Sequence, residues 1–498
     1  MRKQTFTFML LGLTALDLCQ GAMAATIQVN STANVQADDG QCTLREAIVS
    51  SNLDQVSGAM AGECAAGDSA EDVIEFSSLP TPALIDVSAL NLPDITDGLE
   101  LLGPGSELLT IQGGNTHPVF VSQSPLVVAN VTITAGGFFG AGVRMETAHD
   151  LTLKNCEFAD HTPSNGGGTV TMLGGENGPK LMVENCLFTN NIQTNGGGAA
   201  ISLRSNDSNA GLEAEIINSQ FINNQTSGRA AAISLFTGFE NTIHLSITDS
   251  LFMGNVAGTD GGAIFSNQNG IVLLVKNSAF INNQAGEDGG AIQVTNATTV
   301  LVNNTIANNS AGGFGGGLYL SAFNPDVALL INNTITGNSA NENDNGSFSG
   351  GIHAFGLVHV GHSVLAENTT AFAGESPNCF GDITSLGHNL VGDVADCDWI
   401  SDPSDLLGDS SGMGVLDPQL EALADNGGPT PSRLPMSDSP LVDAIDPAVC
   451  LDEENQPLLV DQRGTARPQD SDGDGTSACD IGAVELVFDD LIFASTFE

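Results

Sequence analysis

The sequence predicts an all-β fold, a parallel β-helix closed at its N-terminal end by a small helical cap. Three observations carry that prediction. A strand-and-bend motif recurs with one bend residue per repeat, from His161 to Asn368, at intervals of 26 to 33 residues. Each repeat holds about three short apolar strands, such as "GAIFS", "IVLLV" and "SAFIN", separated by Gly-Gly or Asn bends with no helix-period segment between them. The composition agrees, because 59 glycines, 5% aromatic and only 14% charged residues describe many tight turns and little ordinary globular surface. Three strands per turn without an intervening helix stack coils about 4.8 Å apart, so that equivalent residues form ladders. A β-propeller blade needs about 40 residues and four strands, more than these intervals hold.

Residues 1–24 carry basic Arg2 and Lys3, an apolar run from Phe6 to Leu18, and small residues at Ala22 and Ala24, which together predict a signal peptide. The run is too short for a membrane span and is interrupted by Asp17. Leu18 is too large for the residue preceding a lipidated cysteine at Cys19. Cleavage removes Arg2, Lys3 and Asp17 and moves the net charge from −47 by one unit, to −48. So acidic a chain repels nucleic acid and anionic lipid, and an anionic polysaccharide would need a bridging cation. Eight cysteines remain, an even number that suits disulfides in an exported protein. Proximity pairs Cys42 with Cys64, Cys379 with Cys397, and Cys450 with Cys479. Cys156 and Cys186 hold the same place in consecutive coils, as a disulfide or as stacked thiols.

Residues 25–71 form the expected cap. In "CTLREAIVSSN", Thr43 and Glu46 have capping-box spacing, Leu44, Ala47 and Ile48 share one helical face, and Arg45 is placed to pair with an acid. From residue 72, "DVIEFSS", "ALIDVSA", "LLTIQGG" and "LVVANVTITAGG" read as the first rungs of a solenoid that runs to residue 375. In the regular coils one column reads His161, Asn191, Asn224, Asn255, Asn283, Asn309, Asn338 and Asn368. A second reads Asn155, Asn185, Asn218, Asp249, Asn277, Asn304, Asn333 and His362. Asn tolerates bend dihedrals and its amide bonds both ladder neighbours and backbone, so these columns are architectural. Phe158, Phe188, Phe221, Phe252 and Phe280 make an apolar stack, and Ile201, Ile233, Ile264 and Ile292 another.

"CTLREAI" resembles the CSLREA-type signature that opens many exported bacterial β-helix proteins, with Thr43 in place of serine. The repeated "GGAI" and F-x-x-N resemble the repeats of polymorphic outer-membrane adhesins. The segment 423–485, "LADNGGPTPSRLPMSDSPLVDAID…DQRGTARP…CDIGAVE", is similar to a choice-of-anchor module. These resemblances imply a right-handed single-stranded parallel β-helix, a pectin-lyase-like solenoid, exported to the outer-membrane surface of a Gram-negative bacterium or released from it. They imply no defined reaction. Residues 376–486 then form a C-terminal capping, anchor-like segment, and 487–498 a tail ending "LIFASTFE", which resembles a short tail of some exported proteins with Thr496 in place of a glycine.

Few motifs carry chemistry. "DSDGDGTSACD" sets Asp470, Asp472 and Asp474 at the spacing of a calcium loop, with Gly475 at the turn and Asp480 in place of the Glu absent from its twelfth position. Calcium is the one cofactor expected, and no organic cofactor. Arg229, Asp260 and Asp288 each precede a column isoleucine by four residues and should stack along one edge. Two acids about 5 Å apart would suit a retaining glycosidase, but a solvated charge column beside a glycine turn is the reading these residues favour. Sugar sites favour aromatic platforms, and aromatic residues are scarce in this chain. His353, His359 and His362 could be read as a metal site, but a bend or core role fits His362 better. Trp399 is expected to close the far end of the solenoid. The chain is therefore expected to be an adhesin, glycan-binding or scaffold protein, its partner a glycan or another cell-surface component. A polysaccharide lyase or glycoside hydrolase is the alternative.

Overall fold

The structure, a computed structural model, describes residues 24–68, 71–205, 210–238, 240–341, 349–371, 377–395 and 397–487. The expected signal sequence up to residue 23 and the tail from residue 488 lie outside the described residues.

Parallel strands stack coil upon coil, as the repeat predicts. One coil runs through the strands Ile264–Ser266, Ile271–Lys276, Ala279–Ile281 and Gln284–Ala285, so the regular central turns have the three expected strands and a fourth of two residues. Equivalent strands pair in register, with Ile264 opposite Ile292, Leu273 opposite Thr299, and Phe280 opposite Ile306. The first two columns join into one sheet because Cys379–Ser385 is long enough to pair with both Ile352–Gly356 and Val358–Gly361. The third column holds 13 strands, reaching from Ala83–Asp86 to Leu406–Leu407. The ladder therefore continues past residue 375 to about residue 407.

Alternation sets what faces inward. Ile271, Leu273 and Val275 are buried while Val272, Leu274 and Lys276 point outward. Register turns each inward position into a column. The five phenylalanines stack with ring centroids 4.6 to 4.9 Å apart and planes within 6° of parallel, and the Ile201, Ile233, Ile264 and Ile292 positions lie directly opposite one another.

The corners explain the asparagines. Each of two bends places a left-handed residue next to a buried polar one. At the first, Asn190, Asn223, Asn282 and Asn308 have φ between 53° and 58°, and the next residue is Asn191, Asn224, Asn283 or Asn309. In that buried column each Nδ2 donates to the next coil's Oδ1, as Asn224 does to Asn255 at 3.0 Å and Asn255 to Asn283 at 2.9 Å. The chain of bonds runs from Asn191 to Asn338 and on to Asn368, and His161 begins it through its backbone N–H on Asn191.

The second corner corrects the expected alignment. Its left-handed positions are Asn155, Asn185, Asn218, Asp249, Asn277, Asn303, Asn332 and His362. Asn304 and Asn333 belong to the adjoining buried column, where the Ser278 N–H bonds Asn304 Oδ1 and the Asn304 N–H bonds Asn333 Oδ1. Cys156 and Cys186 start that same column as stacked, buried free thiols.

At the N-terminal end, Thr26–Gln28 adds a strand to the first sheet and the helix Leu44–Leu53 covers its core. Thr43 and Glu46 form the reciprocal capping box. Arg45 does not meet an acid as expected. Its guanidinium donates to Asn34 Oδ1 at 2.9 Å, to the Leu90 carbonyl at 2.8 Å and to the Asn91 carbonyl, satisfying loop backbone where a carboxylate is not needed. Disulfides join Cys42 to Cys64, Cys379 to Cys397 and Cys450 to Cys479.

Beyond residue 407 the chain folds back along the flank of the last coils. Leu441, Ile445, Leu458 and Ile481 pack on Val302, Ile331, Val364 and Leu390. The Ala483 N–H donates to Thr334 Oγ1, the Gly482 N–H to the His362 carbonyl, and Asn303 Nδ2 to the Val460 carbonyl. Trp399 sits in a late strand, Cys397–Ile400, with its ring partly buried on the core and its indole N–H on Asp405 Oδ2 at 3.1 Å.

Candidate functional site

The repeated Asp-Gly-Gly-Ala-Ile places the aspartates before they can do any chemistry. Gly261 and Gly289 adopt φ of +61° and +66°, a left-handed conformation that turns the chain into the strand. At Gly262 a Cβ would lie 2.0 Å from the Gly290 carbonyl oxygen of the next coil, so only glycine allows the coils to close there. Ala263 and Ile264 then enter the core. Asp260 and Asp288 are left at the rim of the first sheet, on consecutive coils below Arg229.

Each of the three has a defined partner. Arg229 Nε lies 3.0 Å from Asp260 Oδ2, and its guanidinium sits 4.9 Å from the centre of the Phe265 ring. With the Gln293 amide oriented to donate, its nitrogen is 3.0 Å from Asp260 Oδ1 and 3.1 Å from the Asp288 carbonyl. Asp288 Oδ1 accepts the Phe314 N–H at 2.8 Å. The acids thus brace the turn, and the argininium is held across a ring.

The outward face of this sheet holds what composition concealed. One outward column runs Ser202, Ser234, Phe265, Gln293, Tyr319, His353, Phe380 in direct register. Beside it, Leu173, Arg204 and Phe236 are in register, and Thr295, Ser321 and Phe355 continue that line further along. Aromatic residues scattered through the sequence therefore converge on one lateral face. Phe236 is 42% exposed and Phe355 38%. Arg204 lies over the rings of Phe139 and Phe236 at 5.7 and 5.3 Å, with Nη1 on the Gly166 carbonyl at 2.8 Å. An open cavity of about 430 Å³ lies among Arg204, Arg229, Phe236, Phe265 and Gln268.

Further along, His353 is sandwiched between Tyr319 and Phe380, with centroids 5.3 and 4.8 Å away and planes nearly parallel. Phe314 and Phe355 close around it. Burial pulls its imidazole down to about 4, so the ring is neutral at pH 7 and acts as a stacking member. Burial, then the nearby Asp288 and Asp260, pushes the Tyr319 phenol above its usual range. His359 stands on the neighbouring strand column and His362 at a corner under the C-terminal segment, so the three histidines do not converge.

The acidic loop is arranged differently from expectation. Asp443, from outside the motif, joins Asp470 and Asp472, with a carboxylate oxygen of each within 4.8 Å of the others. Burial, and then the charges of Asp472 and Asp470, raise Asp443. Asp474 is exposed, accepts the Thr476 N–H and lies outside that cluster. Asp480 belongs elsewhere. Its side chain is buried and accepts the N–H groups of Asp443 and Leu486. Burial and the neighbouring Glu485 push it up to about 8. Around it lie Arg467 with Glu485 at 3.2 Å and Arg463 with Asp461 at 3.0 Å, all essentially buried. The motif residues "DQRGTARP" and "CDIGAVE" thus build a charged core inside the C-terminal segment.

Among the described residues, no helix is long and apolar enough to cross a membrane. Neither a curated protein nor a solved structure matches the chain. Two stretches, residues 249–267 and 277–295, match the Chlamydia polymorphic membrane protein repeat. Each runs from the second corner through the stacked phenylalanine and the ladder asparagine to Asp-Gly-Gly-Ala-Ile and its strand. The chain is therefore a parallel β-helix whose central coils are similar to the repeats of polymorphic membrane proteins.

Proposed function

We propose that this chain is an adhesin-like β-helix, displayed on the outer surface of a Gram-negative bacterium, that binds glycans along its aromatic lateral face. The observation that carries the reading is the alignment of Phe236, Phe265, Tyr319 and Phe355 with Arg204, Arg229 and Gln268 on one side of the solenoid. The exposed rings of Phe236 and Phe355, beside fixed hydrogen-bond donors, match the mixed C–H and hydroxyl surface of a pyranose. The matched repeats, the predicted signal sequence and the acidic composition support surface display.

A lyase or glycosidase acting through Asp260 and Asp288 is the second reading, favoured by two acids on consecutive coils beside that face. Their existing bonds weigh against it. Both Asp260 oxygens are engaged by Arg229 and Gln293, and Asp288 caps the Phe314 N–H. The test incubates the full chain with neutral and acidic polysaccharides and compares it with Asp260→Asn/Asp288→Asn. Retention without cleavage by either protein is expected. Cleavage by the wild type that disappears in the variant would make the acid edge an active site.

Calcium is proposed at Asp443, Asp470 and Asp472. The expected result is a rise in melting temperature with calcium that chelator reverses and Asp472→Ala abolishes. An undiminished rise in that variant would place the cation elsewhere.

A further inference from the structure

We propose that the cavity at the Arg204 end of the aromatic face recognises a carboxylated sugar residue, with the carboxylate on the Arg204 guanidinium and the sugar ring against Phe236. The inference deepens the glycan reading and rests on it. It also reverses what net charge alone implies, that an anionic glycan is repelled.

The chain has 12 lysines and arginines against 59 acids. On the flanks of the solenoid, Lys154 and Lys180 project from the second strand column and pair there with Glu184 and Glu213. Arg144, Arg204 and Arg229 all belong to the aromatic face or its rim. Arg144 is paired with Glu146 and Arg229 with Asp260. Arg204 makes no ion pair among the described residues; Nη1 donates to the Gly166 carbonyl, and the side chain lines the cavity.

A charge without a counterion persists in a partly buried place only where something holds it. Here the rings of Phe139 and Phe236 lie against the guanidinium at 5.7 and 5.3 Å, and the Gly166 carbonyl anchors its Nη1. A planar fork held in this way is pre-organised for two-point contact with a carboxylate, which a lysine ammonium does not provide. Ser234 and Gln268 line the same cavity and offer hydroxyl and amide groups to sugar hydroxyls. Its volume of about 430 Å³ is enough for one or two sugar residues at this end of the face.

The test titrates the full chain with four probes at low and high salt: sialyllactose, which ends in a carboxylated sugar; a mannuronate oligomer, which carries carboxylates internally; and their neutral counterparts, lactose and the carboxyl-reduced oligomer. Wild type is compared with Arg204→Gln, Arg204→Lys and Phe236→Ala, each checked for an unchanged circular-dichroism spectrum. The expected result is binding of at least one acidic probe about tenfold or more tighter than its neutral counterpart, weakened by salt. Arg204→Gln should remove that preference, Arg204→Lys should recover only part of it, and Phe236→Ala should weaken acidic and neutral probes both, the acidic ones more because Phe236 also flanks the guanidinium. Preference for sialyllactose assigns the site to glycan ends, and preference for the uronate oligomer to chain interiors. Equal binding of acidic and neutral probes, or a preference that survives Arg204→Gln, would overturn the acidic assignment while Phe236-dependent binding upheld the glycan reading. Retention of no probe would overturn both.

Discussion

Asn255 occupies the middle of the corner ladder and shows why a polar residue can sit fully buried on every coil. Its Nδ2 donates to the Phe221 carbonyl and to Asn283 Oδ1, and its Oδ1 accepts the N–H and Nδ2 of Asn224. Asn255→Ala removes bonds to buried groups on the two neighbouring coils, the Phe221 carbonyl and the Asn224 N–H among them, and each group left unpaired costs about 1–3 kcal/mol. A loss on the order of 3 kcal/mol in urea unfolding is expected, whereas Asn218→Ala, at an exposed corner, should cost about 1 kcal/mol or less. The buried ladder was legible in the sequence because one residue type recurs at the coil interval. The second column slipped at Asn304 and Asn333 because Asn303 and Asn332 precede them, and adjacent identical residues give the alignment no way to choose. Asp480 was misplaced for a related reason: loop spacing shows which acids are near in sequence, and only tertiary contacts bring in Asp443 and turn Asp480 toward Arg467 and Glu485.

The stacked phenylalanines and the glycine corners show how single coils become a column. Phe252 lies between Phe221 and Phe280 with centroids 4.7 and 4.6 Å away. Removing it takes the partner from two neighbours at once, so Phe252→Ala should destabilise the solenoid by about 3–5 kcal/mol, read as a lower urea midpoint. Substituting Gly262 is more severe than composition implies, since a Cβ there meets backbone of the next coil rather than a side chain that can move. The aromatic face was not legible in the same way. Inward columns repeat one residue type and announce themselves, but the outward column reads Ser, Ser, Phe, Gln, Tyr, His, Phe, a series with no repeated identity. Register alone assembles it, and a low aromatic percentage says nothing about whether the few aromatic residues share a face.

The C-terminal segment ties these columns into one molecule by covering the late coils and burying its own charges. Asp480, near 3.8 when unfolded and raised to about 8 in the fold, keeps its proton in the native state across a range where the unfolded chain releases it. Stability therefore falls as pH rises from about 4 toward 8, because the folded state binds more protons there. Asp480→Asn should flatten that slope in thermal melts across this window, and an unchanged slope would assign the pH dependence to other groups. Fold class, the N-terminal capping box and the three cysteine pairs were readable from local spacing. The site was not, because it is a property of coils stacked side by side. The most direct measurement of the central claim is glycan-array retention of the full chain compared with Phe236→Ala/Phe355→Ala on the aromatic face and Val272→Ala/Leu274→Ala on the neighbouring strand column. Loss of retention in the first variant, with the second equal to wild type, is the predicted result. Equal retention by all three proteins would show that the aromatic face is not the binding surface.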